Sequence, residues 1–91
     1  MTEGPIYSRI NYWVQNYGLS GIPDQKAVEN FIECETTEAV RLLRFELELL
    51  AQGKFNQDSL DHLVGVKRRV KHESYDAWAK LMLQWIAGYK G

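Results

Sequence analysis

The sequence predicts an all-α protein: a compact orthogonal or irregular bundle of about five short helices, forming a single domain over residues 1–91. Three observations carry that expectation. Apolar residues recur at helical spacing in successive stretches. Glycine and proline fall between those stretches and divide them. No stretch sustains apolar–polar alternation flanked by turn residues, so no sheet is expected. The chain is 45% hydrophobic and 12% aromatic, enough to fill the core of so short a domain.

The first helix is expected to open at Gly4-Pro5, since proline suits a first helical turn. Ile6, Tyr7, Ile10, Trp13, Val14 and Tyr17 then fill one arc, and Gly18 reads as the left-handed residue that ends it. Asp24 reads as the N-cap of a second helix carrying Ala27, Val28, Phe31, Ile32 and Cys34 on one side. Thr36 or Thr37 caps a third helix over 37–52, ended by Gly53. Leu42, Leu43, Phe45, Leu47, Leu49 and Leu50 make it apolar around most of its circumference, which predicts a central position.

Asn56 or Asp58 caps the fourth helix, with Leu60, Leu63, Val64, Val66 and Val70 as its apolar residues. Lys71-His72-Glu73 reads as a break with Ser74 as the next cap, the alternative being one continuous helix. The fifth helix, over 75–88, carries Tyr75, Trp78, Ala79, Leu81, Met82, Leu83, Trp85 and Ile86, followed by Tyr89, and is expected to pack against the third.

Chemistry-bearing signatures are absent from the pattern. Cys34 is the single cysteine, and the neighbouring Glu33 and Glu35 disfavour its thiolate, so it reads as a small buried apolar residue. His62 and His72 are ten positions apart, too far for two metal ligands on one helix. No glycine-rich phosphate loop follows a strand, and no Ser, His and Asp set is singled out by spacing. The reading is therefore no enzyme, no cofactor and no metal. The N-terminal residues lack a basic stretch followed by an apolar run, and the longest apolar stretches are only a few residues. Together these predict a cytoplasmic protein that neither enters nor binds a membrane.

Charge is distributed unevenly. The net charge is −1, but residues 1–50 carry four basic and eight acidic groups, while residues 51–91 carry seven basic and four acidic ones. The densest run is Lys67-Arg68-Arg69-Val70-Lys71-His72. It reads either as a solvated helix end that complements the helix dipole or as a surface for an acidic partner. Tyr12 is the one large residue on the polar side of the first helix. Candidate partner-binding residues are thus Tyr12, Lys67, Arg68, Arg69, Lys71 and His72. Trp13, Trp78, Trp85, Tyr75 and Tyr89 add an aromatic surplus for so small a core.

Two charges fall inside apolar arcs: Glu46 among the leucines of the third helix, and Lys67 among Leu60, Leu63 and Val70 of the fourth. They are expected to meet as a buried ion pair or to line a shared cleft, because either alone would be costly to bury, the alternative being that both snorkel at the rim of the bundle. The function expected from all this is a small helical module that binds another protein or a second copy of itself. The alternative is a nucleic-acid-binding accessory protein using the basic run at 67–71. The overall acidity and a poor fit to a helix-turn-helix weigh against it, since the basic residues lie at the wrong end of the would-be recognition helix.

Overall fold

Three helix starts are set by side-chain caps. In the computed structural model, which describes residues 7–18 and 21–89, Thr36 accepts a hydrogen bond from the Ala39 amide at 3.1 Å, Asn56 from Ser59 at 3.0 Å and Ser74 from Ala77 at 3.2 Å. Each bond satisfies an amide that the first turn leaves without a partner, worth about 1 kcal/mol. They open α3 (Thr37–Ala51), α4 (Gln57–Leu60) and α6 (Tyr75–Gly88).

Two further helices precede them, α1 (Ser8–Asn16) and α2 (Asp24–Cys34). Neither has a cap from its own preceding residue. The expected helix start at Gly4-Pro5 lies outside the described residues. Asp24 is the first residue of α2 rather than its cap, because its carboxylate is used by distant side chains described below. Gly18 follows α1 but is not left-handed. Close packing requires it instead, since a Cβ there would stand 2.8 Å from the Trp13 ring and 3.0 Å from the Arg68 guanidinium.

The two broadly apolar helices, α3 and α6, form the most extensive contact. Leu43, Leu47 and Leu50 of α3 meet Trp78, Ala79 and Met82 of α6 in a core completed by Ile10 and Trp13 of α1 and by Ala27, Val28 and Phe31 of α2. Trp13 and Trp78 lie side by side, 5.9 Å between ring centroids, and Tyr75 packs edge-on against Phe55. The core therefore absorbs most of the aromatic surplus: Trp13, Trp78 and Tyr75 are fully buried. The chain's radius of gyration is 12.3 Å, as expected for a compact chain of this length. Among the described residues there is no strand, and no helix is long and apolar enough to cross a membrane.

The fourth expected helix is realised in two parts. After α4 the backbone widens into a π-helical turn over Asp61–Gly65, then leaves the helix at Gly65 (φ +114°, ψ 136°) before α5 (Val66–His72) begins. This interruption changes the helical phase. Val66 and Val70, expected in the core, are 45% and 70% exposed, and Lys67 is exposed too. Arg68 and His72 turn toward the body instead. No residue of α5 is fully buried. The expected break at 71–73 is present, at Glu73 (φ +76°).

Gly65 occupies a backbone region that side chains adopt only at a cost. A Cβ there meets nothing within 4 Å, so the cost of Gly65→Ala is purely conformational. We expect a loss of about 1–3 kcal/mol in urea denaturation, with the helical circular dichroism of the folded state retained.

Two other expectations are corrected. Cys34 is exposed, because α2 buries Ala27, Val28 and Phe31 and turns its last residues outward. Phe45 is 59% exposed while its neighbour Glu46 is buried. The face of α3 toward α1 is thus centred on a carboxylate.

Candidate functional site

The basic run divides by face. On a seven-residue helix, residues four apart share a side, so Lys67 and Lys71 form one outer stripe and Val66 and Val70 another, about 100° away. Arg68 and His72 lie on the inner side. The phase set at Gly65 decides this division.

Arg68 is engaged from every direction. Its Nε donates to both Asp24 carboxylate oxygens, at 2.9 and 3.1 Å, and its Nη2 donates to Asp24 at 2.9 Å and to the Gly18 carbonyl at 2.7 Å. Its Nη1 donates to the Val64 carbonyl at 3.0 Å, in the turn before the break, where helix ends leave carbonyls to be satisfied by other donors. The guanidinium carbon stands 5.3 Å from the centre of the Trp13 ring, in cation–π range. Trp78 Nε1 supplies a further hydrogen bond to Asp24 at 3.0 Å. Burial alone would raise the Asp24 pKa, but the bonds from Arg68 and Trp78 outweigh it and hold the carboxyl below its usual value.

Arg69 is likewise occupied. It donates to Asp61 at 3.0 Å, and the Tyr75 hydroxyl donates to the same oxygen at 2.6 Å. The Tyr75 hydrogen bond and the Arg69 cation hold Asp61 below the usual carboxylate range against its partial desolvation. Tyr75 is pushed up to about 12, first by burial and then by its bond to Asp61. His72 ends α5 with its Nε2 buried and unpartnered, and burial lowers its pKa.

Lys67 and Lys71 are thus the two cations of the run that remain exposed without a carboxylate partner among the described residues. They border a cleft of about 260 Å³ between α5 and the α1–α2 connector. Gly18, Gly21 and Ile22 form its opposite side, with Arg68 and Asp24 at its base. Ile22 is itself 37% exposed. Val66 and Val70 are outside its lining, on the neighbouring stripe of α5.

The expected pair of Glu46 and Lys67 does not form. Glu46 instead accepts from the Arg9 amide at 3.0 and 3.1 Å and from the Ile10 amide at 3.0 Å, so it caps α1 from across the bundle. Lys67 faces solvent because of the phase change at Gly65. Tyr12 belongs to a different cluster. Its hydroxyl donates to Glu35 at 2.9 Å beside that of Tyr17 at 2.6 Å, and both rings pack on Phe31. The candidate partner-binding residues therefore do not form one patch: Lys67 and Lys71 face outward together, Arg68 and Arg69 are paired with acids, His72 is half-buried with Nε2 unpartnered, and Tyr12 is 40% exposed beside Glu35.

The sequence alone does not mark Ile22, and apolar spacing places Val66 and Val70 in the core. No local signal marks Ile22, whose position depends on the α1–α2 connector, and the Val–Gly–Val sequence at 64–66 was the one hint of a phase change. Among the described residues no cluster of His, Cys, Asp and Glu could hold a metal ion. No protein-family model, curated protein or solved structure matches the chain.

Proposed function

We propose that this chain is a small, non-enzymatic helical module of the cytoplasm that docks an acidic, partly apolar segment of another protein on the outer face of α5. The observation behind this reading is the division of the basic run. Arg68 and Arg69 are neutralised within the fold, while Lys67 and Lys71 stand free beside exposed Val66 and Val70. Apolar residues edged by uncompensated cations suit an amphipathic segment with acidic residues along one side. The same division weakens the nucleic-acid alternative, in which affinity grows with the number of phosphates neutralised and two lysines neutralise few.

The test is affinity capture from the source organism's lysate after nuclease treatment. Wild-type protein is compared with a Lys67→Glu/Val70→Asp/Lys71→Glu variant. All three side chains are exposed, so the variant should fold, and circular dichroism checks this. A retained protein that the variant loses, and that binds purified wild type at least about tenfold more tightly than the variant, supports docking on α5. A partner held equally by both proteins places the interface elsewhere. Ligands lost on nuclease treatment would restore the nucleic-acid reading.

A further inference from the structure

We propose that the cleft between α5 and the α1–α2 connector is a binding site for a small oxyanion, a phosphate or carboxylate group held by the Lys67 and Lys71 ammonium groups. Two like charges one helical turn apart weaken a helix, and here no carboxylate among the described residues offsets them. The asymmetry within α5 is informative: both arginines have internal acid partners and both lysines at the cleft do not.

The lining fits an anion in charge and size. Lys67, Lys71 and Arg68 face one acid, Asp24, so the cleft carries an excess of two positive charges. Asp24 does not compete for the lysines, because Arg68 and Trp78 cover both of its oxygens. The base is rigid, since Arg68 is fixed by bonds to Asp24, Gly18 and Val64, so little ordering cost attends binding there. Two of the residues opposite the lysines are glycines. Gly18 has no space for a Cβ, and Gly21 has φ +87°, which disfavours any side chain. A volume of about 260 Å³ admits a phosphate group with its water and is smaller than the usual pocket for a drug-sized ligand.

The site does not depend on the docking reading, because a free ion can occupy it without a partner. If docking occurs, the bound group is the phosphorylated or acidic side chain that the partner presents.

The experiment is a titration of the ¹⁵N-labelled protein with inorganic phosphate, well above its second pKa, against sodium chloride at matched ionic strength. We expect saturable shifts of the Gly18, Gly21, Lys67 and Lys71 amides with phosphate alone. Lys67→Gln and Lys71→Gln should each weaken binding roughly two- to fivefold, and the double variant should abolish saturation. Lys80→Gln, which removes an exposed lysine beside Asp76 on α6, should leave the titration unchanged. Shifts that match the chloride series, or that persist in the double lysine variant, overturn the site and leave docking through Val66 and Val70 to its own test. A phosphoserine tripeptide distinguishes the source: tighter binding than phosphate indicates a protein-borne group, and equal binding indicates the free ion.

Discussion

Asp24→Ala is expected to lower stability by about 3 kcal/mol, a large share of what a domain of this size has. The carboxylate is 13% exposed and its partner Arg68 is 18% exposed, so solvent does little to replace either charge. Removing Asp24 strands the guanidinium against the Trp13 ring and leaves the Trp78 indole N–H, in a fully buried residue, without its acceptor. The melting temperature should fall by roughly 12–24 °C. Arg68→Ala should cost a similar amount, and the double variant less than the sum of the two, because each single change leaves an orphaned charge that the double change does not. Arg68→Lys should rescue little, since an ammonium cannot reproduce the fork that reaches Asp24 and Gly18 together. Acid should act on the same clasp. The folded pKa of Asp24 lies below its ordinary value of 3.8, so the unfolded chain takes up the proton first. This contribution is complete above about pH 4 and is lost as the pH falls through the folded pKa, a loss absent from Asp24→Ala.

The Asp24–Arg68 pair is not legible in the sequence, whereas local helix caps are. Thr36, Asn56 and Ser74 were recognisable as caps because a cap bonds an amide three residues away, within one local pattern. Asp24 has the same composition signal, yet its partners lie 44 and 54 residues along the chain. A short polar residue before an apolar run cannot announce whether its acceptor serves its own helix or a distant arginine. The central position of α3 against α6 was legible for a different reason: a helix apolar on most sides must be covered on most sides.

At the candidate site the presence of charge was legible and its availability was not. A helical count that ignores Gly65 turns Lys67 into the apolar arc and Arg68 and Arg69 away from it. Once the backbone leaves the helix at Gly65, two cations meet Asp24 and Asp61 and two face solvent. A single glycine thus separates the structural half of the basic run from the half free to bind. Composition records only the total.

Glu46 carries the second large prediction. It was identifiable as a misplaced charge, but pairing it with Lys67 assumed that a buried carboxylate needs a cation. Helix N-termini meet the same need, since their free amides and the positive end of the dipole favour negative charge. Glu46 meets the Arg9 and Ile10 amides, whose own helix has no side-chain cap from Tyr7. Glu46→Ala leaves those amides without their acceptor, one of them within the buried Ile10, and should cost about 2–3 kcal/mol by urea denaturation. Glu46→Gln should cost less than half as much, because Oε1 alone accepts from both amides at 3.0 Å and an amide oxygen can take its place. The pH dependence separates cap from charge. Burial raises the Glu46 pKa above 4.5 despite the bonds from Ile10 and Arg9, so the folded state holds this proton more tightly than the unfolded chain. This residue's contribution to stability should therefore decline as the pH rises from about 4.5 through the raised folded value, opposite in sign to Asp24. Subtracting the stability profile of Glu46→Gln from that of wild type should reveal this decline. A flat difference would mean that the α1 amides compensate the buried charge in full, with Glu46 ionising in the fold as it does in the unfolded chain.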